Sequence, residues 1–323
     1  MRVDTKDERV SRSLGLALGV LLDAAWGDPR RGHPVALFGA WAAGVEQRLY
    51  ADSVGRGVAH LGLTVTPVLA LGVAAEWAGR RRPLLHTGLV AATTWAVLGA
   101  RSLATEGVRM ADALDAGDLH AARATLPSLC GRDPTALDAP ELARATVESL
   151  AENTNDAVVC SLFWGAVAGI PGLVAHRAVN TLDAMVGHRT PRHGRFGAAS
   201  ARTDDTLAWL PARLTGALAA LGAPLVGGST APTWATVARD AADHPSPNGG
   251  WCEAAWAGAL GVRLGGANTY GDRVEVRGTL GNPDWPHPSA GDVRQAARLV
   301  TAVTAAATAL AATTAALVTR RTR

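Results

Sequence analysis

Arg144, Glu148 and Glu152 recur at intervals of four residues, and Asn153 and Asp156 follow within the run Glu148-Ser149-Leu150-Ala151-Glu152-Asn153-Thr154-Asn155-Asp156. On a helix that spacing gathers one guanidinium and two carboxylates on a single face, which reads either as a solvated set of ion pairs or as a place where protons and charged substrates are handled. Across a charge-free stretch comes His176-Arg177-Ala178-Val179-Asn180-Thr181-Leu182-Asp183. If helical, it puts Arg177, Asn180 and Asp183 on a shared face. A basic loop from His188 through Arg189, Arg192, His193 and Arg195 then leads past Arg202 to the pair Asp204-Asp205. Adjacent aspartates there read as a helix N-cap or as ligands for Mg²⁺ on a phosphate-bearing substrate. An Asp or Arg beside lipid costs roughly 2.5 to 3.5 kcal/mol on insertion scales, so ionisable groups crowded against apolar sequence point to a functional site.

The elements that position these groups are apolar helices. Hydrophobic residues make up 48% of the 323 and charged residues 18%, a balance that favours a bilayer over soluble cores. Runs without charge extend over 57–75, 83–100, 157–176, 214–238 and 299–319, each near the ~20 residues that a spanning helix needs. An alanine-rich soluble helical protein is the alternative. The expected fold is all-α: a polytopic integral membrane protein, one domain over 1–323, with a soluble helical insertion at about 102–156. Turn signals at Asp115-Ala116-Gly117-Asp118 and Gly131-Arg132-Asp133-Pro134 divide that insertion, and Asp138-Ala139-Pro140-Glu141 starts a helix running to about Asn153.

Ala157 to Gly169 is apolar for only 13 residues before Ile170-Pro171-Gly172, about 20 Å of helix against a ~30 Å hydrocarbon core. The expectation is a kinked spanning helix or a re-entrant hairpin near the site. A helix over Leu207 to Val226 follows, with Pro211 inside it. His244-Pro245-Ser246-Pro247-Asn248-Gly249-Gly250 forms a rigid turn opening onto a small-residue helix, Trp251 to Gly261, that contains Glu253. Next come a loop with Gly265-Gly266 and Tyr270-Gly271, a polar stretch over 272–288, and a C-terminal helix.

Arg2, Lys6, Arg9 and Arg12 precede apolar Ser13 to Leu22, but Asp23 and Trp26 stand where a cleavage site would need small residues, so this reads as an uncleaved first helix. The tail Arg320-Arg321-Thr322-Arg323 places the C-terminus in the cytoplasm, with the basic N-terminus on the same side. No basic stripe interleaved with aromatic residues points to nucleic acid. Cys130, Cys160 and Cys252 form no Cys-x-x-Cys pair and read as packing residues. The chain has no Walker A loop and no Gly-x-Gly-x-x-Gly. His33 and His244 each precede a proline in a turn, which favours local hydrogen bonding over ligation of a metal centre.

Several blocks together resemble the CobD/CbiB family, the membrane-embedded adenosylcobinamide-phosphate synthases of cobalamin biosynthesis. They are Leu22-Asp23-Ala24-Ala25-Trp26-Gly27-Asp28-Pro29, Gly32-His33-Pro34-Val35, Glu148 to Asp156, Arg177 to Gly187, Asp204-Asp205 with Pro211-Ala212-Arg213, His244 to Gly266, and Leu280-Gly281. The chain departs from the family pattern at Ala157, His176, Ala184, His188 and Ala208. The resemblance implies a carbon-nitrogen ligase that uses ATP and Mg²⁺ to join the corrinoid cobyric acid to aminopropanol or its phosphate. For that reaction the expected catalytic carboxylates are Glu148, Glu152 and Asp156, with Glu148 or Glu152 the base on the amine. Asp183, Asp204 and Asp205 would hold Mg²⁺, and Arg177 and Arg202 would neutralise phosphate. Asn153, Asn180, Asn248, His244 and Glu253 would complete the substrate and nucleotide contacts. Such a protein is multi-pass in the cell (cytoplasmic) membrane, with late cobalamin enzymes or a second copy as partners and the lipid bilayer around it. Two other readings stand beside it. One is a permease or corrinoid carrier, against which there is no internal repeat; the other is a non-catalytic AmpE-type signalling relative.

Overall fold

The computed structural model describes residues 5–29, 32–188, 190–270 and 273–317. Arg2, Arg189, Gly271, Asp272 and the tail Arg320-Arg321-Thr322-Arg323, with the orientation read from the termini, lie outside these residues. The chain is helical almost throughout: α1 (Thr5–Trp26), α2 (Pro34–Leu49), α3 (Val54–Gly79), α4 (Pro83–Val97), α5 (Ala100–Asp115), α6 (Leu119–Thr125), α7 (Ala139–Thr154), α8 (Cys160–Ala168), α9 (Ile170–Leu182), α10 (Ala198–Gly222), α11 (Thr230–Asp240), α12 (Gly249–Leu260) and α13 (Ala290–Leu317). It is a polytopic all-α membrane protein. Four helical stretches, Val54–Gly79, Pro83–Asp115, Ala198–Val226 and Ala290–Leu317, are long and apolar enough to cross a bilayer. Leu71, Trp77, Leu84 and Leu225 on them are exposed, as lipid-facing residues are.

Two of the five charge-free runs are not single spans. The run at 157–176 breaks at Gly169, whose φ of 69° only glycine adopts readily, and Pro171 follows in the first turn of α9. α8 and α9 then pack on each other. A side chain at Gly172 would strike the Trp164 carbonyl, and one at Gly165 would meet Leu173 at 2.8 Å. The hairpin is therefore realised and the kinked single helix is not. The run at 214–238 breaks at Gly227 (φ 89°), so the apolar helix lies earlier, from Ala198. That shift puts Asp204-Asp205 inside α10, beyond its first turn, and corrects the N-cap reading.

The chain divides into two compact units. One comprises residues 1–99, 160–208 and 307–323; the other comprises 100–159 and 209–306. In the first, α1 packs on α4 because Gly15 and Gly19 bring the backbones together against Val90 and Thr94. Glu76, at 2% exposure, ties four helices: it accepts from Arg12 Nη2 of α1 (2.7 Å) and from the Ile170 N–H of α9 (2.9 Å), and it lies 3.3 Å from His86 Nε2 of α4. A lone acid closing an apolar run was the available signal for it.

In the second unit, α7 packs on α5 and α12, and α12 packs on α11, with Gly258 fitting against Thr233 and Thr236. α5, α6 and α7, the stretch expected as an insertion, fold with these later helices. The unit also holds a two-stranded antiparallel hairpin, β1 (Leu264–Tyr270) and β2 (Arg273–Leu280), irregular between Gly265 and Gly266. This corrects the expectation of a loop there. The alternation through Val274, Val276 and Leu280 carried the strand signal, and the surrounding polar residues masked it.

Candidate active site

α7 begins as the sequence dictates. Asp138 accepts from the Glu141 N–H (2.9 Å) and Glu141 accepts from the Asp138 N–H (3.0 Å), a reciprocal cap. Its charged face is buried rather than solvated. Glu148, at 2% exposure, accepts from Arg132 Nη2 at 2.6 Å and from the Gly265 N–H at 2.8 Å, and Arg144 Nη1 lies at 3.3 Å. Arg144 also donates to the Gly265 carbonyl. Two guanidinium groups and a strand end therefore surround Glu148, which joins α7 to the hairpin. A carboxylate so occupied is a structural link.

One turn later the setting reverses. Glu152, His244 and Glu253 each offer a ligand atom within 4.8 Å of the others. Glu253 is fully buried, with His244 Nε2 at 3.1 Å and Arg277 Nη1 at 3.6 Å, and neither of its oxygens accepts an aligned hydrogen bond. The His244 ring is oriented by the Ser246 N–H, which donates to Nδ1 (3.1 Å), while Arg277 Nη1 stands 3.2 Å from Nε2. Glu152 is the half-buried member and so the one open to an incoming group. Gly249 packs its backbone closely against two of them, since a side chain there would meet Glu152 Oε1 at 2.7 Å and the His244 ring at 2.9 Å.

Burial, and then the charge of Glu253, pushes the Glu152 carboxyl up to about 8. Burial, and then the charge of Glu148, does the same to Glu253. Burial pushes His244 down, toward neutral imidazole. Two carboxyls this close titrate as a pair and retain a proton near neutrality. Cys252 lies among Asp156, Glu152 and Glu253, and its burial raises the thiol well above the ordinary value, so it is no thiolate nucleophile.

The remaining expected site residues fall in two sets. In this same unit, Asp156 accepts from the Asn155 side chain (2.9 Å) and lies in a π-type turn, Asn155–Val159. The Asn153 amide donates to the Leu129 and Ser149 carbonyls and to the Ser149 hydroxyl, and Asn248 accepts from Arg213 (2.9 Å). In the other unit, Arg177 Nη1 donates to Asn180 Oδ1 at 3.3 Å, as their spacing foretold. Asp183 lies in a second π-type turn, Asp183–Gly187, and its carboxylate fills the space that a Gly187 side chain would need. Asp204 is buried, Asp205 half-buried and Arg202 exposed.

The three oxygen donors of Asp183, Asp204 and Asp205 suit a hard cation such as Mg²⁺, although the three are not gathered as closely as Glu152, His244 and Glu253. That tighter group already has a cation beside two of its members, Arg277 Nη1 lying 3.6 Å from Glu253 and 3.2 Å from His244. Arg277 itself was invisible in the sequence because it lies on a strand read as loop. Arg132 was visible only within the Gly131-Arg132-Asp133 turn. His33 does what its turn foretold: its ring accepts from the Val35 N–H at 3.2 Å and caps α2.

A profile of the family described as "CobD/Cbib protein" matches residues 16–300. The cobalamin biosynthesis protein CobD of Mycobacterium tuberculosis is 49% identical over 302 residues, covering 93% of this chain and 95% of that one. The protein of the same name from Rhodobacter capsulatus is 44% identical over 295 residues, 87% of this chain and 88% of the relative. That of Chromobacterium violaceum is 40% identical over 300 residues, 90% and 93%. No solved structure matches.

Proposed function

Because this chain belongs to the CobD/CbiB family, we propose that it is the cobalamin-biosynthetic ligase that joins cobyric acid to aminopropanol or aminopropanol phosphate at the expense of ATP. The observation that carries the chemistry is the close pairing of half-buried Glu152 with buried Glu253. At neutral pH a carboxylic acid and an amine form an unreactive ion pair. A ligase must therefore activate the carboxylate and remove a proton from the ammonium.

In the proposed reaction a corrinoid carboxylate oxygen attacks the γ-phosphorus of ATP and ADP leaves, giving an acyl phosphate. The free amine then attacks the acyl carbon, the carbon-nitrogen bond forms, and inorganic phosphate departs. The ammonium proton goes to the Glu152–Glu253 pair, whose raised proton affinity suits a general base that works near neutrality. Glu148, already engaged by Arg132 and Arg144, is the weaker candidate for that role. His244 and Arg277 orient Glu253, and Gly249 lets Glu152 and His244 come close to its backbone. Asp156, Asn153 and Asn248 support the substrate side of the same unit.

Arg177 and Arg202 neutralise charge on the transferring phosphoryl group, and Asn180 orients Arg177. Mg²⁺, held by Asp183, Asp204 and Asp205, would supply charge neutralisation on the nucleotide. The protein would work as a multi-pass protein of the cell membrane.

The test is ligation by full-length, lipid-reconstituted protein given cobyric acid, aminopropanol phosphate and Mg-ATP, with corrinoid products followed by mass spectrometry. Amide product with one nucleotide cleaved per bond is expected. Corrinoid binding without amide or nucleotide cleavage, in folded protein, would instead favour a carrier.

A further inference from the structure

Arg213 has most of a binding site built around it and one edge left open. It projects from α10, with its guanidinium carbon 4.4 Å from the Trp209 ring centroid and 4.9 Å from that of Trp251. Trp234 packs edge-on against Trp251 at 6.1 Å. Nη1 donates to Asn248 Oδ1 and to the Trp209 carbonyl, both at 2.9 Å. Among the described residues no carboxylate lies within 4.0 Å of the guanidinium, and neither Nε nor Nη2 makes a hydrogen bond. Aromatic rings hold the cation and strip part of its water, while the Nε–Nη2 edge is the fork that grips two oxygens of one oxyanion. Asn248, 5% exposed, fixes the angle of that fork. Its neighbour Gly249 faces Glu152 and His244.

We infer that Arg213, clamped by Trp209, Trp251 and Asn248, is a receptor for a phosphate group. Resting on the ligase reading, the ligand is the phosphate of the amine substrate. An anion at Arg213 and an ammonium at Glu152 would then lie on the two sides of Asn248-Gly249, as the two ends of a short amino-alkyl phosphate require. The same chemistry is offered by a phospholipid headgroup, because Arg213 belongs to a stretch long and apolar enough to cross a membrane.

Binding can be measured without turnover. Full-length protein in maltoside micelles, with neither corrinoid nor nucleotide present, would be titrated with 1-amino-2-propanol phosphate and with 1-amino-2-propanol. The phosphorylated amine should bind about 10- to 100-fold tighter, the range for hydrogen bonds to charged groups. Arg213→Gln should erase that preference, and Arg213→Lys, which keeps the charge but not the fork, should retain part of it. Unfolding temperature would confirm that each variant is folded. If Arg213→Gln does not fold, the drop in Arg213→Lys decides. Phosphorus counted per purified protein separates the sources. Loss of bound phospholipid in Arg213→Gln, with the preference for phosphorylated amine intact, assigns the receptor to lipid. Equal amine-phosphate binding and equal phospholipid content in all three proteins would overturn the proposal. Amide synthesis failing while phosphate binding still depends on Arg213 would count against the ligase reading alone.

Discussion

Glu148 and Glu152 stand one turn apart on the same face of α7, yet they live in opposite surroundings. Glu148 meets Arg132, Arg144 and a backbone N–H; Glu152 meets another carboxyl, Glu253, and a histidine whose burial favours the neutral ring. The first arrangement compensates a buried charge and fixes the hairpin to the helix. The second leaves charge under-compensated and so keeps a proton within reach. Identical residue types at helical spacing can thus divide into a structural and a chemical member, and the partners brought in from β1, β2 and α12 decide which is which.

The largest expected effect sharpens that division. Glu152→Gln removes the proton acceptor while preserving shape, and amide formation should fall about 10²- to 10⁴-fold with the unfolding temperature in detergent held or raised. Glu148→Gln should do the reverse, costing about 3–5 kcal/mol of stability because two buried arginines lose their counter-charge. Chemical denaturation of the two variants side by side checks this. If both variants lost activity and stability together, the distinction would collapse.

Gly249→Ala probes the close packing of Gly249 against Glu152 and His244. The added methyl must displace one of them, at about 1–3 kcal/mol for a small-to-large change in a packed site. The expected readout is a lower rate with unchanged helix content by circular dichroism.

A further effect is on stability against pH. Burial keeps the Glu152–Glu253 pair protonated up to about 8 in the folded protein against an ordinary 4.5, so the folded form binds more protons between those values. Their contribution to stability is fully present below about 4.5 and is lost as the pH rises through about 8. Glu253→Gln should flatten that decline in denaturant titrations from pH 5 to pH 9.

How much of this could be read from residues alone differs between elements. Capping at Asp138 and the α9 face shared by Arg177 and Asn180 are set by local chemistry and stand where the sequence placed them, and the break expected at Ile170-Pro171-Gly172 falls one residue earlier, at Gly169. Glu152, His244 and Glu253 were each visible as candidates, but their convergence depends on α12 packing against α7 and could not be seen in spacing. Arg277 was hidden because a hairpin among polar residues reads as loop. Glu76 was overlooked because its partners Arg12, His86 and Ile170 lie 64, 10 and 94 residues away in sequence.

The pH–rate profile of amide formation, compared between wild type and Glu152→Gln in lipid-reconstituted protein, tests the central claim most directly. Wild type should show activity rising with pH along a limb set by the Glu152–Glu253 pair near 8, and Glu152→Gln should lack that limb along with most of the rate. An unchanged profile and rate in the variant would contradict the assignment of this pair as the proton acceptor.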